Sequence, residues 1–144
     1  MTYKNRVKMH MAMIGMALHS MKFSYKPSDE EDFTYEFEDP ISKIRGHVGL
    51  DTLFDSDKLN TLTLTLVGEE MLCDSTLDLD KLEEMFMKDD EMIVCSENGT
   101  MEFYFKDISL TDSTSIASIM LHLQSALITT LRVWHYLYNC DDIG

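Results

Sequence analysis

Basic residues are scarce: Lys and Arg total 12 against 26 Asp and Glu, a formal net charge of −14 over 144 residues. Gripping nucleic acid through its phosphates needs a basic surface, so no direct nucleic-acid binding is expected. Glycine and proline are also few, 6 and 2, while 44% of residues are hydrophobic. That excludes a collagen-like fibre, a low-complexity linker and a disordered tail, because enough apolar surface exists to offset chain entropy. The glycines never cluster, which removes the phosphate-cradling loops. Three cysteines, Cys73, Cys95 and Cys140, form no CxxC, and an odd number leaves one over in any pairing. Reduced thiols in a cytoplasmic protein are the expectation.

Chemistry-bearing motifs are missing as well. There is no G-x-S-x-G elbow, no His or Cys pair has ligand spacing, and chance carboxylate pairs carry little information among 26 acids. Asp55-Ser56-Asp57 begins like a calcium loop, but Leu59 and Asn60 stand where a ligand and the obligatory Gly belong. No catalytic residue, metal or cofactor is therefore assigned, and the chain is not expected to be an enzyme. Asn98-Gly99-Thr100 fits a glycosylation sequon and is better explained as a hairpin turn.

What is there is pattern. Val7, Met11, Ile14, Leu18 and Met21 recur at helical spacing and predict a first helix ending before Pro27. The basic, apolar start imitates a signal peptide, but His10 and His19 interrupt it. Phe33, Tyr35 and Phe37 alternate with polar residues, as a half-buried strand requires, and 43–50 reads as a second strand. Residues 51–60 are ambiguous, and Thr61, Thr63 and Thr65 alternating with Leu62, Leu64 and Leu66 give the clearest strand. Asp80 to Glu83 has the form of a capping box opening a helix of about ten residues. Two strands follow, Met92–Cys95 and 101–108, joined across Asn98-Gly99. Apolar spacing from Ile116 to Leu137, with caps at Thr111, Asp112 or Ser113, predicts a helix over 112–139, about 42 Å long. His122, Gln124, Arg132 and His135 break its apolar surface, so it is not expected to span a membrane.

The expected fold is α+β, a single domain over residues 1–144, in the order α-β-β-β-α-β-β-α. Its sheet is mainly antiparallel, with the terminal helices packed on it. That order, in an acidic chain of this length, resembles the class I type III secretion chaperones and the YbjN-like regulators. The resemblance covers nearly the whole chain and rests on element order, length and charge. It implies a small protein, a homodimer as a rule, that binds polypeptide and does not catalyse.

Charge placement supplies the candidate sites. Residues 1–26 carry five bases and no acid, giving +5, while the remaining 118 carry 7 bases and 26 acids, giving −19. The first helix either docks on its own acidic domain, offers Met9, Met13 and Met16 as an adaptable surface for apolar ligands, or lies on a membrane surface. Leu62, Leu64 and Leu66 are the expected client pockets on the sheet, and Trp134, Tyr136 and Tyr138 the expected interface anchors. Asp29, Glu30, Glu31 and Asp32, with Asp89, Asp90 and Glu91, are the expected contacts to a basic partner. The functional expectation is a chaperone- or adaptor-like protein-binding module, homodimeric, holding a client polypeptide. The alternative is an acidic inhibitor or antitoxin-like protein, or a phage anti-defence protein, that blocks a basic or nucleic-acid-binding partner by charge complementarity.

Overall fold

The computed structural model describes residues 2–51, 60–74 and 76–139. Helix α1, Tyr3–Ser20, starts where the Thr2 side chain accepts the Asn5 N–H at 3.2 Å, satisfying one orphan donor of the first turn. It buries Val7, His10, Ile14, Ala17 and Leu18 on one face. Lys22, at φ 63°, turns the chain out of the helix, and Phe23 stacks on Phe37 with centroids 5.5 Å apart.

Strands β1, Ser24–Pro27, β2, Thr34–Glu38, β3, Arg45–Asp51, and β4, Asn60–Leu72, pair antiparallel in sequence order. Beyond β4 lie β6, Thr100–Tyr104, and then β5, Met92–Cys95, while β7, Ile108–Leu110, pairs with the start of β4. Between β4 and β5, α2, Leu79–Phe86, packs near α3, Ile116–Asn139. The chain is thus an α+β unit with a seven-stranded antiparallel sheet and helices at both ends.

The expected order holds, with two short strands added. All four residues of β1 are exposed, so no apolar alternation marks it in the sequence, and its pairing is imposed by β2. The expected strand over 101–108 is divided: β6 ends at Tyr104, and Ile108 opens β7 against Leu62. Gly99, at φ 81°, makes the β5–β6 hairpin where Asn98-Gly99 predicts it. Gly46 on β3 is required by close approach: a Cβ there would lie 2.6 Å from both Phe37 and Leu66.

Two helix starts differ from expectation. Asp78 caps α2, accepting the Lys81 N–H at 3.2 Å, so Asp80 lies inside the first turn. Thr111 and Thr114 close a separate turn, and Ser115 caps α3 by accepting the Ser118 N–H at 3.1 Å. The last helix therefore has 24 residues, about 36 Å: it begins at Ile116, with its apolar pattern, and four positions later than the expected caps at Thr111, Asp112 or Ser113 imply.

A larger correction concerns the cysteines. Cys73, just past β4, and Cys95, at the end of β5, are joined as a disulfide with Cα atoms 6.0 Å apart. An odd count leaves one thiol over but does not prevent the other two from pairing, and only geometry brings these two together. Cys140 lies outside the described residues, as do Asp55, Ser56 and Asp57 of the calcium-loop comparison.

The core lies between the helices and one face of the sheet. Ile14 and Leu18 of α1 and Ile119 and Leu123 of α3 join Val48, Leu62, Leu64, Leu66 and Phe103 in one buried cluster. Each such side chain contributes roughly 1.5–3 kcal/mol on burial. A polar contact locks the layers: buried His10 donates through Nε2 to the Thr111 carbonyl at 3.1 Å and accepts the Asn60 amide at Nδ1, at 2.8 Å. Outside it, Arg6 pairs with Asp112 at 3.1 Å, so α1 docks on its own domain.

Candidate functional site: the open face of the sheet

A half-buried strand has two faces, and on β4 they are chemically distinct. Leu62, Leu64 and Leu66 point into the core and are 0–2% exposed. Thr61, Thr63, Thr65 and Val67 point the other way and stay half-buried. Register carries this polar face across the sheet: Thr65 lies between His47 of β3 and Tyr104 of β6, and Val67 between Arg45 and Glu102. His47 in turn neighbours Glu36 of β2, with Nε2 3.7 Å from the carboxylate.

Two adjoining concavities form on this surface and share Thr63, Thr65 and Tyr104 as a common wall. One, about 580 Å³, is bounded by Asp90, Met92, Lys106 and Asp107. The other, about 260 Å³, is bounded by Glu31, Thr34, His47, Val67 and Glu102. Two acidic turns far apart in sequence, 29–32 and 89–91, thus flank one polar surface from opposite sides.

Local structure sets both turns. Ser28 Oγ accepts the N–H groups of Glu30 and Glu31, each at 3.2 Å, leaving the carboxylates exposed. Asp90 adopts φ 70°, which short acidic residues tolerate better than most. Between the turns, the Tyr104 hydroxyl donates to Glu102 at 2.7 Å. Its pKa is pushed up to about 12, first by that hydrogen bond, then by burial and the charges of Glu102 and Glu31. The phenol therefore remains a donor throughout the ordinary pH range. Asp107 is raised by burial and then by Asp51, against the opposing influence of His122. A hydrogen bond leads the first shift and burial the second, and neighbouring carboxylates add to both.

The expected site residues fall into three groups. Asp29, Glu30, Glu31, Asp32, Asp89 and Asp90 are exposed, and Glu31 and Asp90 line the concavities. Glu91 is different: its carboxylate accepts the N–H of Lys88 at 2.8 Å and of Lys106 at 3.1 Å, holding two loops together. It is a structural clamp.

Leu62, Leu64 and Leu66 are buried in the core, and of the three Leu64 alone contributes to the wall of the larger concavity. Met9 and Met13 are half-buried, Met13 against the core, and of the three candidate methionines Met16 alone is open, at 54% exposure. They lie on α1, on the side of the sheet away from the concavities.

The aromatic end of α3 is engaged internally. Tyr136 meets Phe86 edge-on at 5.5 Å, and Trp134 lies 5.5 Å from the Tyr138 ring. The Tyr138 hydroxyl accepts the Leu72 N–H at 3.2 Å, anchoring the far end of β4.

Thr63, Thr65, Glu102, Tyr104 and His47 were not marked by the sequence pattern as a site. The signal was the threonine half of the Thr/Leu alternation, since in an antiparallel sheet packed on one side the polar half forms the accessible surface. Among the described residues no group of three or more His, Cys, Asp or Glu side chains is placed to hold a metal. Comparison with protein-family models, curated proteins and solved structures finds no match for this chain.

Proposed function

We propose that this chain is a non-catalytic protein-binding module that docks a basic segment of a client polypeptide on the open face of its sheet. The supporting observation is the convergence of Glu31 and Asp90 on two concavities sharing Thr63, Thr65 and Tyr104. Threonine and tyrosine hydroxyls supply hydrogen bonds, and the flanking carboxylates supply attraction and orientation for Lys or Arg. This reading draws the chaperone-like and charge-blocking alternatives together. It keeps a polypeptide ligand, moves it off the leucines and methionines, and makes charge the selector. In the cell the same contact serves either to hold a client or to occupy a basic partner's own binding surface.

The test is fluorescence anisotropy of a labelled Lys/Arg-rich extended peptide against the full chain. The expected result is binding that weakens steeply with salt and falls at least tenfold in the double variant Glu31→Lys, Asp90→Lys. Asp80→Lys with Glu84→Lys, on exposed positions of α2, changes net charge equally and should cost far less. Equal loss in both double variants would reduce the effect to overall charge and refute a site on the sheet.

A further inference from the structure

Helix α3 is the most apolar long segment of the molecule and one of the less buried. Within Ile116–Tyr138 an 18-residue stretch has a mean hydropathy of 1.3, enough by length and composition to cross a membrane, yet 28% of that stretch is buried. Its inner seam, Ile119, Leu123, Ala126, Thr130 and Val133, faces the core. On the opposite side Leu121 is 68% exposed, Ile128 50% and Leu131 39%. With Ala117 and Gln124 these positions are spaced four, three, four and three, the rhythm of a helix–helix seam.

Charge decides what covers this seam. Between Ser113 and Asn139 there is no acid, and Arg132 is the one permanent charge. Two copies at −14 each repel wherever acidic surface meets acidic surface. The outer side of α3 faces away from the sheet, whereas Glu31 and Asp90 line concavities on the sheet's other face. An approach of α3 to α3 therefore keeps both acidic surfaces outermost and buries no carboxylate from that helix.

The geometry points to a homodimer in which the outer seams of two α3 helices pack antiparallel across a twofold axis near Gln124. About that point small Ala117 comes level with the partner's Leu131, and Leu121 with the partner's Leu127 and the partner's Ile128. A bilayer fits less well, because α3's other side is occupied by its own domain and the body is strongly acidic. The predicted assembly presents two basic-peptide faces on its opposite ends.

Sedimentation equilibrium of the full chain tests this directly. The wild type is expected at twice 16.7 kDa, tightening as salt screens the acidic bodies. Leu121→Glu with Ile128→Glu should sediment at 16.7 kDa, with unchanged circular dichroism. Exposed Gln124→Cys supplies a second reading that leaves the seam intact: oxidation should cross-link two copies through that thiol.

A wild type that stays monomeric at about 100 μM, well above micromolar affinity, overturns the proposal. So does a dimer indifferent to the double substitution, or a Gln124→Cys chain that forms no cross-link. Flotation of the monomer with phosphatidylcholine vesicles would assign the seam to lipid and overturn it equally.

Discussion

The two sides of this molecule differ in kind. One side is a bare sheet surface of threonines, a tyrosine and carboxylates, flanked by two acidic turns. The other is a helical layer in which α1 is basic and α3 is nearly uncharged and apolar. Strand β4 belongs to both, with leucines toward the helices and threonines toward solvent. Alternation with a period of two lets a single strand build a core and present a surface of opposite chemistry. Salt should separate the sides: it weakens docking of a basic peptide on the sheet and strengthens contact through α3.

The sharpest break in this comparison is made within β4 itself. Leu64→Asp places a carboxylate in the core and should cost more than about 4 kcal/mol, enough to unfold a marginal domain. Leu64→Ala should cost about 2–5 kcal/mol in urea denaturation. Its neighbour Thr65→Ala should change stability by no more than about 0.5 kcal/mol while weakening peptide binding. Equal destabilisation at 64 and 65 would contradict the assignment of faces.

Next in size is the Cys73–Cys95 link, which ties the end of β4 to β5 across 22 residues. Cys73→Ser should remove about 2–4 kcal/mol, read as a fall in thermal midpoint that reductant reproduces in the wild type. No response to reductant would mean that the link contributes nothing.

At the acidic turns, single reversals have smaller effects. Glu31→Lys and Asp90→Lys should each weaken peptide binding about three- to tenfold with little change in stability. Glu91→Gln should do the reverse, because its carboxylate joins the Lys88 and Lys106 loops through backbone hydrogen bonds. Loss of binding without loss of stability in Glu91→Gln would reassign it to the surface.

The smallest effect concerns His122. Burial lowers its pKa below 6.5, with Lys88 adding to that effect and Glu91 and Asp107 opposing it. The folded state prefers the neutral ring, so between the lowered value and 6.5 the unfolded state binds more protons. Stability therefore falls as pH drops below 6.5, and His122→Gln should flatten that limb of the profile. An unchanged pH profile in the variant would remove His122 from the account.

Much of this architecture was legible in the sequence, for physical reasons. The helical stripes of α1 and α3, the Thr/Leu strand and the Asn98-Gly99 hairpin are local patterns whose periods state which residues share a face. What was hidden is non-local. β1 carries no pattern of its own, and the junction of Cys73 with Cys95 depends on the fold bringing two strands' ends together. The start of α3 was obscured because Thr111, Asp112, Ser113 and Ser115 all suit a cap, and hydrogen bonding among them decides the outcome.

The site was legible in part. The two acidic runs stood out, but their positions beside one surface did not. The leucines expected as pockets lie on the face that the fold buries. Glu91 shows the limit of reading charge from composition, since one carboxylate of three consecutive acids is a clamp and its neighbours are surface.

The most direct measurement is backbone amide chemical-shift mapping of the full chain titrated with a Lys/Arg-rich peptide. Shifts are expected to centre on His47, Thr63, Thr65 and Tyr104 and on the turns holding Glu31 and Asp90. The amides of α1 and the outer residues of α3 should stay unmoved. Shifts centred instead on Met9, Met13 and Met16, with the sheet face silent, would contradict it.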